Sequence, residues 1–161
     1  MKAQKAIRKL NLVWGNYIVE ENLHLTLKFL GYQSTEHIAH IKNHLQAINL
    51  STFELRLKAL GIFSNHVIWA SVKGDGLDEL VGQIEEALIE YTPKEAKPFA
   101  AHLTLLRLKK ISRSRLFLES LSHIKLQELS FSVKDFVLIE SKLSHEGAQY
   151  QTVARYYLSS N

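Results

Sequence analysis

The tetrapeptide His-Leu-Thr-Leu occurs twice, at His24–Leu27 and His102–Leu105, each time within an apolar, β-favouring run. Side chains alternate between the two faces of an extended strand. A histidine and a threonine two positions apart therefore share one face, and the leucines take the other. Each copy displays an imidazole and a hydroxyl over a leucine-lined interior. The copies start 78 residues apart, about half the 161-residue chain.

The pattern of elements around each copy repeats as well. Ala3–Leu10 reads as a helix ahead of the first copy. Leu77–Glu90, with Leu77, Leu80, Ile84 and Leu88 on one face, reads as a helix ahead of the second. After His24 the order is strand, helix, strand, strand. These are Leu23–Leu30 ended by Gly31, a helix from the Ser34–Thr35 cap to about Ile48, the alternating Phe53–Leu57, and Val67–Lys73 before the turn Gly74-Asp75-Gly76. After His102 the order recurs in Ala101–Leu108, Arg113–Leu121 and a closing meander of Leu129–Val133, Phe136–Lys142 and Tyr150–Leu158, with His145-Glu146-Gly147 at one turn. Tyr17–Glu20 reads as a short strand, and Pro93 and Pro98 bracket a loop. The expected class is α+β. A single bilobal domain spans 1–161, made of duplicated units at about 3–73 and 77–158, with antiparallel sheets and flanking helices. In the second unit a strand precedes the leading helix. In the first nothing does, so the repeat leads one to expect one N-terminal strand more than the sequence holds.

Charge and composition narrow the function classes. The formal net charge is +4 and the sequence pI about 9.2, which suits an anionic partner such as nucleic acid. There is no cysteine, so disulfides and thiolate metal sites are excluded. No apolar run approaches the roughly 20 residues of a membrane span, and the N-terminus lacks a signal-peptide core. A cytoplasmic protein with no membrane association is expected. No Gly-x-Gly-x-x-Gly or phosphate-loop pattern indicates a nucleotide cofactor.

The residues able to do chemistry are His24 and His102 first, because imidazole is the side chain that exchanges protons near neutral pH. One can serve as acid and the other as base. Thr26 and Thr104, each on its histidine's face, can donate hydroxyl hydrogen bonds to an anion. Lys28 falls on the same face by alternation and adds positive charge. Arg107 falls on the opposite face of a regular strand, unless a bulge or strand end redirects it. His37, His40 and His44 have helical spacing that can hold a metal, but they flank the apolar stripe Ile38, Ile41, Leu45, Ile48 and read as solvent-facing. His66, His123 and His145 have no supporting context. No Asp/Glu cluster accompanies the motif strands, which speaks against a two-metal site. Phe63 and Trp69 can stack on a base, although Trp69 in an apolar strand reads as core.

The segment Glu21-Asn22-Leu23-His24-Leu25-Thr26-Leu27-Lys28-Phe29-Leu30-Gly31 resembles the first signature of the 2H phosphoesterase superfamily, and Phe99-Ala100-Ala101-His102-Leu103-Thr104-Leu105-Leu106-Arg107 the second. The resemblance is specifically to bacterial and archaeal RNA 2′,3′-cyclic phosphodiesterases, also called 2′-5′ RNA ligases. It continues through Gly61-Ile62-Phe63, Val67-Ile68-Trp69-Ala70, Ser141-Lys142-Leu143, Gly147 and Tyr150. Two departures stand out: Ala101 replaces a usual proline, and the family's opening strand is missing. The resemblance implies two pseudo-symmetric lobes whose His and Thr face one another across a cleft between sheets. It implies hydrolysis of a terminal 2′,3′-cyclic phosphate to a 2′-phosphate without metal or cofactor, with reversible 2′-5′ ligation. RNA ends, tRNA fragments among them, would be the partners. His24 is expected to act as acid, His102 as base, and Thr26 and Thr104 as phosphate donors. Other readings keep the residues but change the role: a phosphodiesterase for 2′-5′-linked oligonucleotides or a small cyclic-phosphate metabolite, or a non-catalytic RNA-binding module.

Overall fold

Helix α1 (Lys2–Lys9) opens the chain, followed by strand β1 (Val13–Tyr17), a single 3-10 turn (Glu20–Asn22), α2 (Thr35–Gln46), β2 (Phe53–Phe63), β3 (Val67–Lys73) and α3 (Leu77–Ala87). Then come β4 (His102–Ile111), α4 (Ser114–His123), β5 (Ser130–Val133), β6 (Asp135–Ser144) and β7 (Gly147–Tyr157). The computed structural model describes residues 2–64, 66–93, 98–126, 129–144 and 147–160. The turn expected at His145-Glu146-Gly147 and the middle of the Pro93–Pro98 loop therefore lie largely outside the described residues. The strand order is β1-β4-β3-β2-β5 in one sheet and β6-β7 in the other, and β1–β4, β4–β3, β3–β2 and β6–β7 pair antiparallel.

The chain divides into two compact units, and both draw on alternating segments. The first comprises Met1–Thr26, Arg56–Lys73 and Ala100–Ser130, and the second Leu27–Leu55, Gly74–Phe99 and Phe131–Asn161. The sequence repeats thus interleave: each half of the chain contributes to both units.

In the first unit the inward face of the sheet carries Leu57, Ile68, Ala70, Val72, Leu105, Leu106 and Leu108, all buried. Ile7 of α1 and Phe117 and Leu121 of α4 are buried too. The buried Gln4 amide ties α1 to the sheet, donating to the carbonyls of Ile18 (2.6 Å) and Leu105 (2.9 Å). The Arg8 guanidinium lies 4.0 Å over the Tyr17 ring. Burial pushes the Tyr17 hydroxyl up from the usual phenol range, and the Arg8 charge partly opposes this. In the second unit Ile41 and Leu45 of α2, Leu80, Ile84 and Leu88 of the α3 stretch, and Phe136, Leu138, Tyr156 and Leu158 form one apolar cluster. Ser34 caps α2 as its spacing foretold, its hydroxyl accepting from the His37 amide at 3.1 Å.

Two expected strands differ. The first lies earlier, at Val13–Tyr17, because Val13, Gly15 and Tyr17 turn inward while Trp14 and Asn16 turn out. The expected strand Leu23–Leu30 reduces to one antiparallel bridge, Leu25 to Leu103. The turn at Glu20–Asn22 interrupts β1, and the chain rejoins the same edge of β4 only at Leu25 before passing into the second unit at Leu27. β2 is longer than its alternating core and runs on to Phe63.

Candidate active site

Because Leu25 pairs with Leu103 in antiparallel sense, the register sets His24 across from Thr104 and Thr26 across from His102. Opposed residues in such a pair point the same way, so all four polar side chains leave one face and the two leucines leave the other. The histidines are diagonal neighbours about the bridge. Diagonal residues in this geometry lie about 7–8 Å apart, a spacing that leaves room for one phosphate between two imidazoles. All four residues belong to the first unit.

The local pseudo-symmetry extends to the hydrogen bonds. Nδ1 of His24 donates to the carbonyl of Asn22 at 2.7 Å, and Nδ1 of His102 donates to the carbonyl of Ala100 at 2.8 Å. In each case the acceptor lies two residues back. A carbonyl oxygen can only accept, so each neutral ring holds its proton on Nδ1, which makes Nε2 the nitrogen without that proton. Ala101, the proline position of the second signature, lies between His102 and its acceptor. Its own carbonyl accepts from the Val72 amide at 3.2 Å.

β4 is irregular just beyond Thr104. Ile68 pairs with Leu106 and Trp69 with Thr104, so Leu105 is an extra residue opposite β3. Such a β-bulge shifts the alternation. Leu105 and Leu106 are both buried, and Arg107 emerges on the face of His102 and Thr104. The expectation that Arg107 points away from the site holds only for a regular strand, and the bulge redirects it. Arg107 is exposed and lies opposite Asn16 of β1.

Lys28 requires a correction. It lies in the second unit, and its side chain is only 3% exposed. The ammonium donates to the Pro93 carbonyl at 3.2 Å and lies 4.0 Å from Glu85. The chain leaves the bridge after Thr26, so strand alternation no longer governs residue 28, and the lysine anchors its own unit.

Trp69 and Phe63 stand on the site face rather than in the core. Their rings stack with centroids 4.7 Å apart, and His102 meets both edge-on at 5.1 Å (Phe63) and 6.3 Å (Trp69). The indole lies across Gly61, where any Cβ would collide with it. Sequence reading missed this because a tryptophan flanked by Ile68 and Ala70 resembles an interior residue, although strict alternation in β3 puts it opposite them. Ser71, across from His102, uses its hydroxyl on the Ala59 backbone and is not left to a ligand.

The remaining histidines take other roles. His37, His40 and His44 gather round Tyr91, with ring centroids at 5.6, 6.5 and 5.6 Å. His123 donates from Nδ1 to the Glu119 carbonyl at 2.7 Å, and the exposed His66 sits in the β2–β3 turn. Among the described residues no group of three or more His, Asp or Glu side chains is arranged to hold a metal ion.

A family model for the 2′-5′ RNA ligase superfamily matches residues 4–144. The chain belongs to that superfamily. Among sequence relatives, an RNA 2′,3′-cyclic phosphodiesterase of Archaeoglobus fulgidus is 32% identical over 157 residues, covering 93% of this chain and 88% of the relative. One from Methanocaldococcus jannaschii is 28% identical over 141 residues, covering 84% and 80%. Among solved structures, TT0787 of Thermus thermophilus superposes with a TM-score of 0.78 at 24% identity, covering 97% of this chain and 87% of that one. E. coli LigT complexed with 3′-AMP gives 0.75 at 23% identity, covering 98% and 92%. The α+β fold, an antiparallel sheet with flanking helices, is that of these solved structures.

Proposed function

We propose that this chain hydrolyses the 2′,3′-cyclic phosphate at the end of an RNA to a 2′-phosphate, with two histidines as acid and base and no metal ion. The observation that carries the reading is the Leu25–Leu103 bridge, which puts two His-Thr pairs on one face with matching Nδ1-to-carbonyl hydrogen bonds. The sequence relatives named RNA 2′,3′-cyclic phosphodiesterase support the same reaction.

The phosphate sits between the rings. Nε2 of His102 takes a proton from water as its oxygen forms the new bond to phosphorus. The bond from phosphorus to the ribose 3′-oxygen breaks, and protonated His24 gives its Nε2 proton to that oxygen. Exchange with solvent then removes the proton gained by His102 and reprotonates His24, the more exposed of the two. The Thr26 and Thr104 hydroxyls donate to the non-bridging oxygens as charge builds there, and Arg107 adds its positive charge on the same face. When a 5′-hydroxyl replaces water, the same two proton transfers join the ends through a 2′-5′ linkage. Cytoplasmic RNA fragments with cyclic phosphate ends, tRNA fragments among them, are the substrates this chemistry takes.

An RNA oligonucleotide ending in a 2′,3′-cyclic phosphate is expected to yield a 2′-phosphate end at the same rate with and without a metal chelator. A 3′-phosphate product, loss of turnover on chelation, or binding without turnover contradicts the proposal.

A further inference from the structure

Charge is divided unevenly between the two units. The first carries thirteen Lys and Arg against four Asp and Glu, and the second seven against twelve. A chain of net charge +4 therefore consists of a strongly basic unit with both histidine motifs and an acidic one.

Part of that excess is aligned with the site. β4 has a second irregularity: Trp14 pairs with Lys110 and Gly15 with Leu108, which leaves Lys109 extra opposite β1. The phase shift keeps Leu108 buried and sends both Lys109 and Lys110 outward. One face of β4 thus presents His102, Thr104, Arg107, Lys109 and Lys110 in order. Beside them on β1 are Asn16 and Trp14. Trp14 is 49% exposed, with the Lys110 ammonium 5.9 Å from its ring centroid. Among the described residues Arg107, Lys109 and Lys110 have no acidic partner.

We propose that this face is a track for the single-stranded RNA attached to the reacting terminus, with Lys109 and Lys110 on its phosphates and Trp14 stacking a base. The inference rests on the proposed cyclic-phosphate chemistry and extends it from a terminal group to a polymeric substrate. At about 3.3 Å per paired residue, His102 and Lys110 are about 20 Å apart, which spans several nucleotides. Cations that follow a backbone, combined with an exposed aromatic, are the physical means by which proteins hold single strands without reading sequence. A mononucleotide cyclic phosphate fills only the histidine end, so the track distinguishes RNA from nucleotide.

The test compares wild type with Lys109→Ala/Lys110→Ala and with Trp14→Ala on two substrates: adenosine 2′,3′-cyclic phosphate and an eight-nucleotide single strand ending in the same group. With RNA, KM is expected to rise about tenfold or more in the double variant, and the salt dependence of binding to weaken by about two phosphate contacts. Kinetics on the mononucleotide are expected to stay at the wild-type level. Equal changes on both substrates, or no change on either, overturn the track. Wild type that turns over neither substrate overturns the chemistry instead. In that event, binding of the same octamer with a 2′-phosphate end decides the track: retained affinity and salt slope in the double variant refute it.

Discussion

Replacing either His24 or His102 with alanine is expected to lower turnover of an RNA 2′,3′-cyclic phosphate by about 10²–10⁴-fold, the range for a general acid or base. Each ring supplies a proton transfer that the other cannot make in the same step. The double variant is therefore expected to lose little more than the worse single one, since residues that act as a unit are not additive. Both rings lie on the outward face of their strand segments, so both alanine variants are expected to fold, with a small drop in thermal midpoint for His102→Ala, which loses its edge contacts with Phe63 and Trp69. Single-turnover rates measured beside those midpoints check the prediction. Near-wild-type turnover in either variant contradicts the assigned roles.

The largest effect on stability is expected at the bulge. Leu105 is fully buried, and its carbonyl accepts from both the Ile18 amide (3.0 Å) and the Gln4 amide (2.9 Å). Leu105→Ala keeps those backbone bonds but truncates a fully buried side chain, and is expected to cost about 2–5 kcal/mol. Leu143→Ala, at a residue 89% exposed, serves as the comparison and is expected to change stability by less than about 0.5 kcal/mol. Urea unfolding of the two variants measures the difference. Equal midpoints contradict the interior position of Leu105.

The elements with clear periodicity were legible in the chain. α1, α2, α3 and β3 fall where the sequence pattern put them, and the repeated His-Leu-Thr-Leu singled out the four residues of the proposed site. Three things were not legible, each for a physical reason. Alternation assumes a regular strand, so it could not by itself say that an extra Leu105 redirects Arg107, and it misassigned Lys28, which lies beyond the bridge. The division into units depends on which segments pair across long separations, and local pattern carries no such information. The partnership of Leu25 with Leu103 turns the repeat into adjacent segments of one unit, whereas the sequence repeats suggested one motif per lobe. Trp14 and Asn16 were missed because β1 is short and contains Gly15, where the β4 backbone approaches too closely for a Cβ. The signal that points to them is the inward set Val13, Gly15 and Tyr17, which leaves positions 14 and 16 outside.

The central claim is that two imidazoles, each held by a backbone carbonyl at Nδ1, exchange protons with one phosphate through Nε2. Nitrogen-15 NMR of the His24 and His102 rings, recorded while a nucleoside 2′-phosphate is titrated in, tests it most directly. The account predicts that both neutral rings carry their proton on Nδ1 and that both Nε2 resonances move with the same binding curve. A proton on Nε2 in either free ring, or a response confined to one of them, would contradict it.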